Sequence, residues 1–187
     1  MTKKSKILAL GICLALVFLF CAAALAAETE PKVGQQVGNV KFAKPMFDED
    51  AKYLGLDKTA GFTLKDIKST YVLVEQFNTN CPHCMAQAPV MNNLFSMVSQ
   101  DAQLKDKVKF LAMGQGDADD KLKLWKAFHK VPFPLIPDVD SSFGKALNFS
   151  PYPVTIVLDK TGKAVFVHIG AFDNAEEVLK QLKTALK

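Results

Sequence analysis

The sequence predicts a three-layer α/β/α sandwich with a mixed β-sheet at its centre. Three observations carry that expectation. Two β-branched and aromatic-rich runs, YVLVEQF (residues 71–77) and VKFLAM (108–113), are each followed by a segment with apolar residues at helical spacing. Two further strand-like runs then flank the turn Lys160-Thr161-Gly162. A last amphipathic segment follows. Strands alternating with helices require crossover connections and parallel pairing, whereas the late hairpin pairs antiparallel, so the sheet is mixed.

The elements are justified in chain order. Lys3, Lys4 and Lys6 precede a run without charge up to Glu28, and Ala24-Leu25-Ala26 supplies a small-x-small cleavage pattern. Residues 1–27 are therefore expected to be an export signal. Ile7–Ala27 is 21 uncharged residues, so an uncleaved signal would serve as a membrane anchor. Either way the domain is expected in the periplasm or elsewhere outside the cytoplasm. Residues 28–60, with Pro31, Gly34, Gly38 and Pro45, read as an extended N-terminal extension containing a short helix near Asp48–Leu54. The domain proper is expected over 61–187. GFTLKDI (61–67) alternates like a short strand, and Tyr71–Phe77 is a buried one. Pro82 suits the first position of a helix, where its missing N–H costs nothing. That helix runs to about Ser99 with Met85, Val90, Leu94, Phe95 and Val98 on one face. After Val108–Met113, Gly114–Gly116 turns the chain, and Asp117–Lys130 is helical with Leu122, Trp125 and Phe128 as its apolar stripe. Pro132, Pro134 and Pro137 force extended backbone. A short helix over Ser141–Leu147, strands over Val154–Leu158 and Ala164–Gly170, and a final helix capped by Asn174 complete the order.

Composition narrows the function. All 23 basic residues are lysines. Bidentate clamps on phosphate or carboxylate usually need arginine's planar fork, so chemistry built on one is disfavoured. The formal charge of +4 falls to about +1 without the three signal lysines, which gives no electrostatic case for nucleic acid. Removal of the signal also takes Cys13 and Cys21, leaving Cys81 and Cys84.

These two cysteines, in Cys81-Pro82-His83-Cys84, follow strand YVLVEQF after a three-residue loop, at a helix N-terminus. Unpaired amides and the helix dipole favour an anion there, and a Cys81 thiolate would be that anion. Spacing of three puts the sulfurs within bonding reach, with Cys84 one turn in as the resolving thiol. A protonated His83 would add positive charge beside Cys81. A metal site is not expected. Zinc needs four ligands, and only His83, His129 and His168 could complete the set, none at ligand spacing. A purely structural disulfide would close too small a loop to remove much unfolded-chain entropy. Trp125 and the methionines Met85, Met91 and Met97 read as core, His129 as a helix-end residue and His168 as sheet packing or solvent-facing.

Residues 71–91 (YVLVEQFNTNCPHCMAQAPVM) resemble the active-site segment of the thioredoxin superfamily, and the resemblance extends over roughly 61–187. Glu75 lies six before Cys81, where that family often carries a buried acid beneath the disulfide. Pro89 matches a helix-kinking proline. Tyr152-Pro153-Val154-Thr155 looks like the cis-proline loop that faces the disulfide and binds substrate backbone, and HIGAF (168–172) resembles the end of the last family strand. The segment 132–166 resembles the TlpA/ResA and peroxiredoxin-like layout, while Pro82-His83 is the dipeptide of DsbA-type oxidases. The resemblance implies an extracytoplasmic thiol-disulfide oxidoreductase whose only redox group is the Cys81–Cys84 disulfide, without a further cofactor. Cys81, Cys84, His83, Pro82 and Glu75 would be catalytic, and Tyr152, Pro153 and Val154 substrate-binding. It implies protein substrates with thiols or disulfides and a redox partner, which could be membrane-bound. The alternative is a redox-silent binding module, a metal or chaperone scaffold, that kept the fold.

Overall fold

The computed structural model describes residues 28–56 and 61–186. The expected signal segment lies outside them. Among the described residues no helix is long and apolar enough to cross a membrane.

Five strands form one sheet in the order β3-β2-β1-β4-β5. They are β1 (Tyr71–Phe77), β2 (Val108–Gln115), β3 (Leu135–Asp138), β4 (Val154–Asp159) and β5 (Ala164–Ile169). β1 pairs parallel with β2, and β2 with β3. β4 runs antiparallel to both β1 and β5. The helices are α1 (Asp48–Leu54), α2 (Pro82–Gln100), α3 (Asp119–His129), α4 (Ser142–Leu147) and α5 (Ala175–Ala185). The mixed sandwich is thus as the element order predicts.

β1 is central and buried on both faces, which is why it reads as a nearly unbroken apolar run. Leu73 and Phe77 face a core built with α2, α3 and α5: Met91, Leu94 and Val98, Leu122 and Trp125, Val178 and Leu182. Val72 and Val74 face the opposite core, where Phe143 and Leu147 of α4 meet Val37, Val40, Phe42 and Leu54 from the N-terminal segment. Residues 28–56 therefore supply part of the second layer. Their α1 also reaches the other side: Lys126 of α3 binds Asp50 at 3.1 Å and donates to the Phe133 carbonyl at 2.7 Å. Burial raises the Asp50 carboxyl above its ordinary range while Lys126 pulls it back. At the outer edge of β2, the Ala112 N–H donates to the Pro134 carbonyl at 2.9 Å. One repeat earlier β3 has not begun, and the Phe110 N–H donates instead to the Tyr53 hydroxyl at 3.0 Å.

Four local expectations are corrected. Residues 61–67 are no strand: Phe62 makes an isolated bridge to Phe42, and Leu64–Asp66 is a 3-10 turn closed by Asp66, which accepts from the Thr63 N–H at 2.7 Å. Gly114 belongs to β2 and the turn comes at Gly116 (φ 73°). Gly114 is needed because a Cβ there would lie 2.5 Å from Leu122, so its absence lets α3 pack onto the strand. Phe128 is 82% exposed, since the buried stripe of α3 runs through Leu122 and Trp125 and ends where Trp125 stacks on His129 at 4.1 Å. Met85 is 44% exposed, because the buried stripe of α2 is Cys84, Gln87, Ala88, Met91, Leu94 and Val98.

Candidate active site

The loop between β1 and α2 is tied down before the cysteines begin. Asn78 donates to the Gln115 carbonyl at 2.8 Å, and its own oxygen accepts the Asn80 N–H at 2.9 Å. Asp117, fully buried at the end of β2, accepts the Thr79 N–H at 2.8 Å and the Thr79 hydroxyl at 2.9 Å. Lys121 neutralises it at 3.6 Å. Short polar side chains binding nearby backbone fix such a turn without secondary structure.

Cys81 then stands at the N-cap of α2, with Pro82 at the first helical position. The Cys84 N–H donates to the Cys81 sulfur at 3.2 Å. This is an unpaired amide of the first turn used on sulfur in place of the usual oxygen. The Tyr152 carbonyl approaches the same sulfur at 3.9 Å. The Tyr152–Pro153 peptide is cis, Pro153 and Val154 are buried, and Tyr152 is 39% exposed beside them. The loop is held from below by Gln76, whose amide donates to the carbonyls of Phe149 at 3.2 Å and Pro151 at 3.0 Å. Gln115 adds a bond to the Ser150 carbonyl at 3.1 Å.

Beneath the cysteines lies Glu75. Only 6% of it is exposed. Burial pushes its carboxyl up to about 7, and a hydrogen bond from Gln87 works against that rise. Burial also raises the Cys84 thiol, with further contributions from the Cys81 sulfur and the Glu75 charge. A cavity of about 10 Å3 is lined by Glu75, Cys84 and Asn92 among apolar neighbours, room for about one water.

Of the sequence-derived candidates, the structure brings Cys81, Cys84, Pro82, Glu75, Tyr152, Pro153 and Val154 together. His83 is on the same turn but its side chain points to solvent. His129 and His168 are remote in role, stacked on Trp125 at 4.1 Å and on Phe172 at 4.3 Å. Among the described residues no group of three or more His, Cys, Asp or Glu side chains is arranged to hold a metal. Sequence reasoning missed Gln87, Gln76 and Asp117. For Gln87 a signal existed: it is the one polar residue in the stripe 84, 87, 88, 91, whose spacing puts it on the buried face of α2. Beyond the thiol, Met85, Leu124 and Phe128 line an open apolar groove of about 580 Å3 with Asn80, Trp125 and His129.

The arrangement is similar to known proteins. Thiol-disulfide oxidoreductase ResA of Bacillus subtilis (strain 168) is 27% identical over 143 residues, 74% of this chain and 77% of that one. ResA of Bacillus anthracis is 27% identical over 124 residues, and the match spans 66% of each protein's length. The thioredoxin domain of a thiol-disulfide oxidoreductase from Bacteroides vulgatus superposes with a TM-score of 0.61 at 12% identity, covering 84% of this chain and all of that one, a likeness of fold. The TlpA/ResA-like thioredoxin architecture read from residues 71–91 and 132–166 is therefore present. The Redoxin family profile matches residues 32–186, which takes in the N-terminal layer, the cysteine turn and the cis-proline loop alike, and by that match the chain belongs to the Redoxin family.

Proposed function

We propose that the protein is a thiol-disulfide oxidoreductase that exchanges a Cys81–Cys84 disulfide with protein substrates outside the cytoplasm. The observation that carries this reading is the position of the Cys81 sulfur. It lies between the Cys84 N–H at 3.2 Å and the Tyr152 carbonyl at 3.9 Å, with Cys81 7% exposed, Cys84 1% and Glu75 6%, all on the same side of the sheet. A nucleophile, a resolving thiol, a proton acceptor and a backbone rail for substrate are thus side by side. The cysteine pair is itself the redox group, and no separate cofactor enters the scheme.

In the reducing direction, the Cys81 thiolate attacks one sulfur of a substrate disulfide. That S–S bond breaks, the other substrate sulfur leaves as a thiolate, and a mixed disulfide remains. Cys84 gives its proton to Glu75, directly or through one water, and its thiolate attacks the Cys81 sulfur. The Cys81–Cys84 bond forms, the second substrate thiolate leaves and is protonated, and two electrons have passed to the substrate. Oxidation of a substrate dithiol is the same sequence reversed, with Glu75 returning the proton to Cys84. The groove formed by Met85, Leu124 and Phe128 supports a protein as substrate, since a small thiol has no use for an apolar surface of that size.

Export rests on residues 1–27, and a membrane-held redox partner fits the uncleaved form of that segment. His83 beside Cys81 should make the pair more oxidising than thioredoxin, whose potential is about −270 mV against about −120 mV for DsbA. Equilibration with glutathione measures it. A potential at or below thioredoxin's removes that role for His83, and His83→Gly should lower the potential. The activity itself is tested by insulin-disulfide reduction. Wild-type protein should turn over, the Cys81→Ser/Cys84→Ser double variant should not, and equal rates for the two would refute the proposal.

A further inference from the structure

Gln87 is completely buried, one turn below the cysteines on α2. Its oxygen accepts the backbone N–H of Phe172 at 3.0 Å, and its nitrogen donates to Glu75 Oε1 at 2.7 Å. The orientation of this amide is fixed by its partners. A backbone N–H can only donate, so the oxygen must face Phe172 and the NH2 must face Glu75. Reversal would set two donors against each other in a buried site and leave the carboxyl without a donor.

From this geometry we infer that Gln87 is a positioning residue for the exchange chemistry, its clamped amide presenting a fixed donor to Glu75 and setting the pH at which Glu75 accepts the Cys84 proton. The inference rests on the oxidoreductase reading above. A fixed N–H aimed at a carboxylate favours the ionised form and holds one oxygen in place. It acts against burial, which favours the neutral acid. Without it a larger share of Glu75 would keep its proton at neutral pH and be unable to take one from Cys84. The other groups that face Glu75 are few. From α2 come the Cys84 thiol and, across the small cavity, the Asn92 amide. From β2 comes Ala112, from β4 the Thr155 hydroxyl, and one strand further, in register with Thr155, lies His168. The second end of the clamp is the loop after β5, where the Phe172 ring stacks on His168. The position of that loop is thereby coupled to the proton acceptor.

The test is a titration of Glu75 itself in the reduced protein, read from the protonated-carboxyl stretch by infrared difference spectroscopy. Glu75→Gln identifies the band by removing it. A hydrogen bond to a charged group corresponds to about one to two pH units of midpoint. Gln87→Met, which keeps the volume and removes the donor, should raise the midpoint by at least about one unit. The rate of Cys84 attack on a mixed disulfide with glutathione should then fall about tenfold at pH 7 and recover as pH is raised. If Gln87→Met does not fold, Gln87→Glu decides: two carboxyls sharing one proton should titrate in two separated steps. An unshifted midpoint in the methionine variant, or a single step near 7 in the glutamate variant, overturns the inference. The infrared midpoint is defined whether or not the protein exchanges disulfides. A shifted midpoint with no insulin turnover would therefore count against the proposed function alone.

Discussion

Glu75 and Gln76 are consecutive residues of β1, are both buried, and point to opposite faces of the sheet. Gln76 is neutral and spends its amide on the carbonyls of the cis-proline loop. Glu75 is an acid whose burial holds its carboxyl near 7, with one neutral donor against it. One face of the strand thus holds the loop proposed as the rail for substrate backbone, and the other holds the acid proposed as the proton acceptor. The difference teaches that a buried polar side chain in this strand is not one kind of feature. The amide adds order through the bonds its NH2 donates to the loop, whereas the acid lowers stability whenever it ionises.

The largest effect expected on the acid side is at sulfur. Cys81→Ser should abolish exchange, and Cys84→Ser should leave the first attack intact but accumulate the mixed disulfide, visible by mass spectrometry as an adduct on Cys81. Next comes the pH dependence of stability. Burial in the folded protein pushes the Glu75 carboxyl from its ordinary 4.5 up to about 7. Between those values the native state binds more protons than the unfolded chain, so stability falls as pH rises through that window. The loss is complete above about pH 7 and amounts to about 3 kcal/mol. Glu75→Gln should therefore raise the urea midpoint strongly at pH 8 and little at pH 4. A difference that does not depend on pH would erase the contrast with Gln76. On the amide side, Gln76→Leu leaves the Phe149 and Pro151 carbonyls without their donor and should cost about 1–3 kcal/mol at every pH. It should also raise KM for insulin more than it lowers kcat. The smallest effect is at the surface. Leu124→Ser or Phe128→Ser should slow insulin reduction severalfold, leave exchange with glutathione disulfide unchanged, and move stability by no more than about 0.5 kcal/mol.

Much of the fold was legible because its signals are local. The β-branched run at 71–77, the proline after Cys81, and Asn174, whose side chain accepts the Glu177 N–H at 2.8 Å, each act within a few residues. The cysteine turn was legible for the same reason, and the cis-proline loop through the resemblance of Tyr152-Pro153-Val154-Thr155 to the thioredoxin superfamily. Met85 and Phe128 lie outside the buried stripes; periodicity counts apolar residues without revealing which of two overlapping stripes the sheet will cover. Here the redox surface kept one of them. Residues 61–67 alternate like a strand, yet Asp66 folds back on Thr63 and makes a turn more favourable. The burial of Gln87 is legible in its stripe on α2 but its partners are not, since they are Glu75 from β1 and Phe172 from the loop after β5, 12 and 85 positions away.

The Tyr53 hydroxyl on the Phe110 N–H has a consequence for life in a crowded compartment. β3 is only four residues long and pairs with β2 from Ala112 onward, so among the described residues no strand pairs with the earlier half of that β2 border. A bare border is an invitation to a foreign β-segment. Tyr53 occupies the donor that such a segment would need, and Lys109 places its ammonium 4.2 Å above the tyrosine ring. Helix α1 thus covers an edge position at which strand addition would otherwise have an open donor.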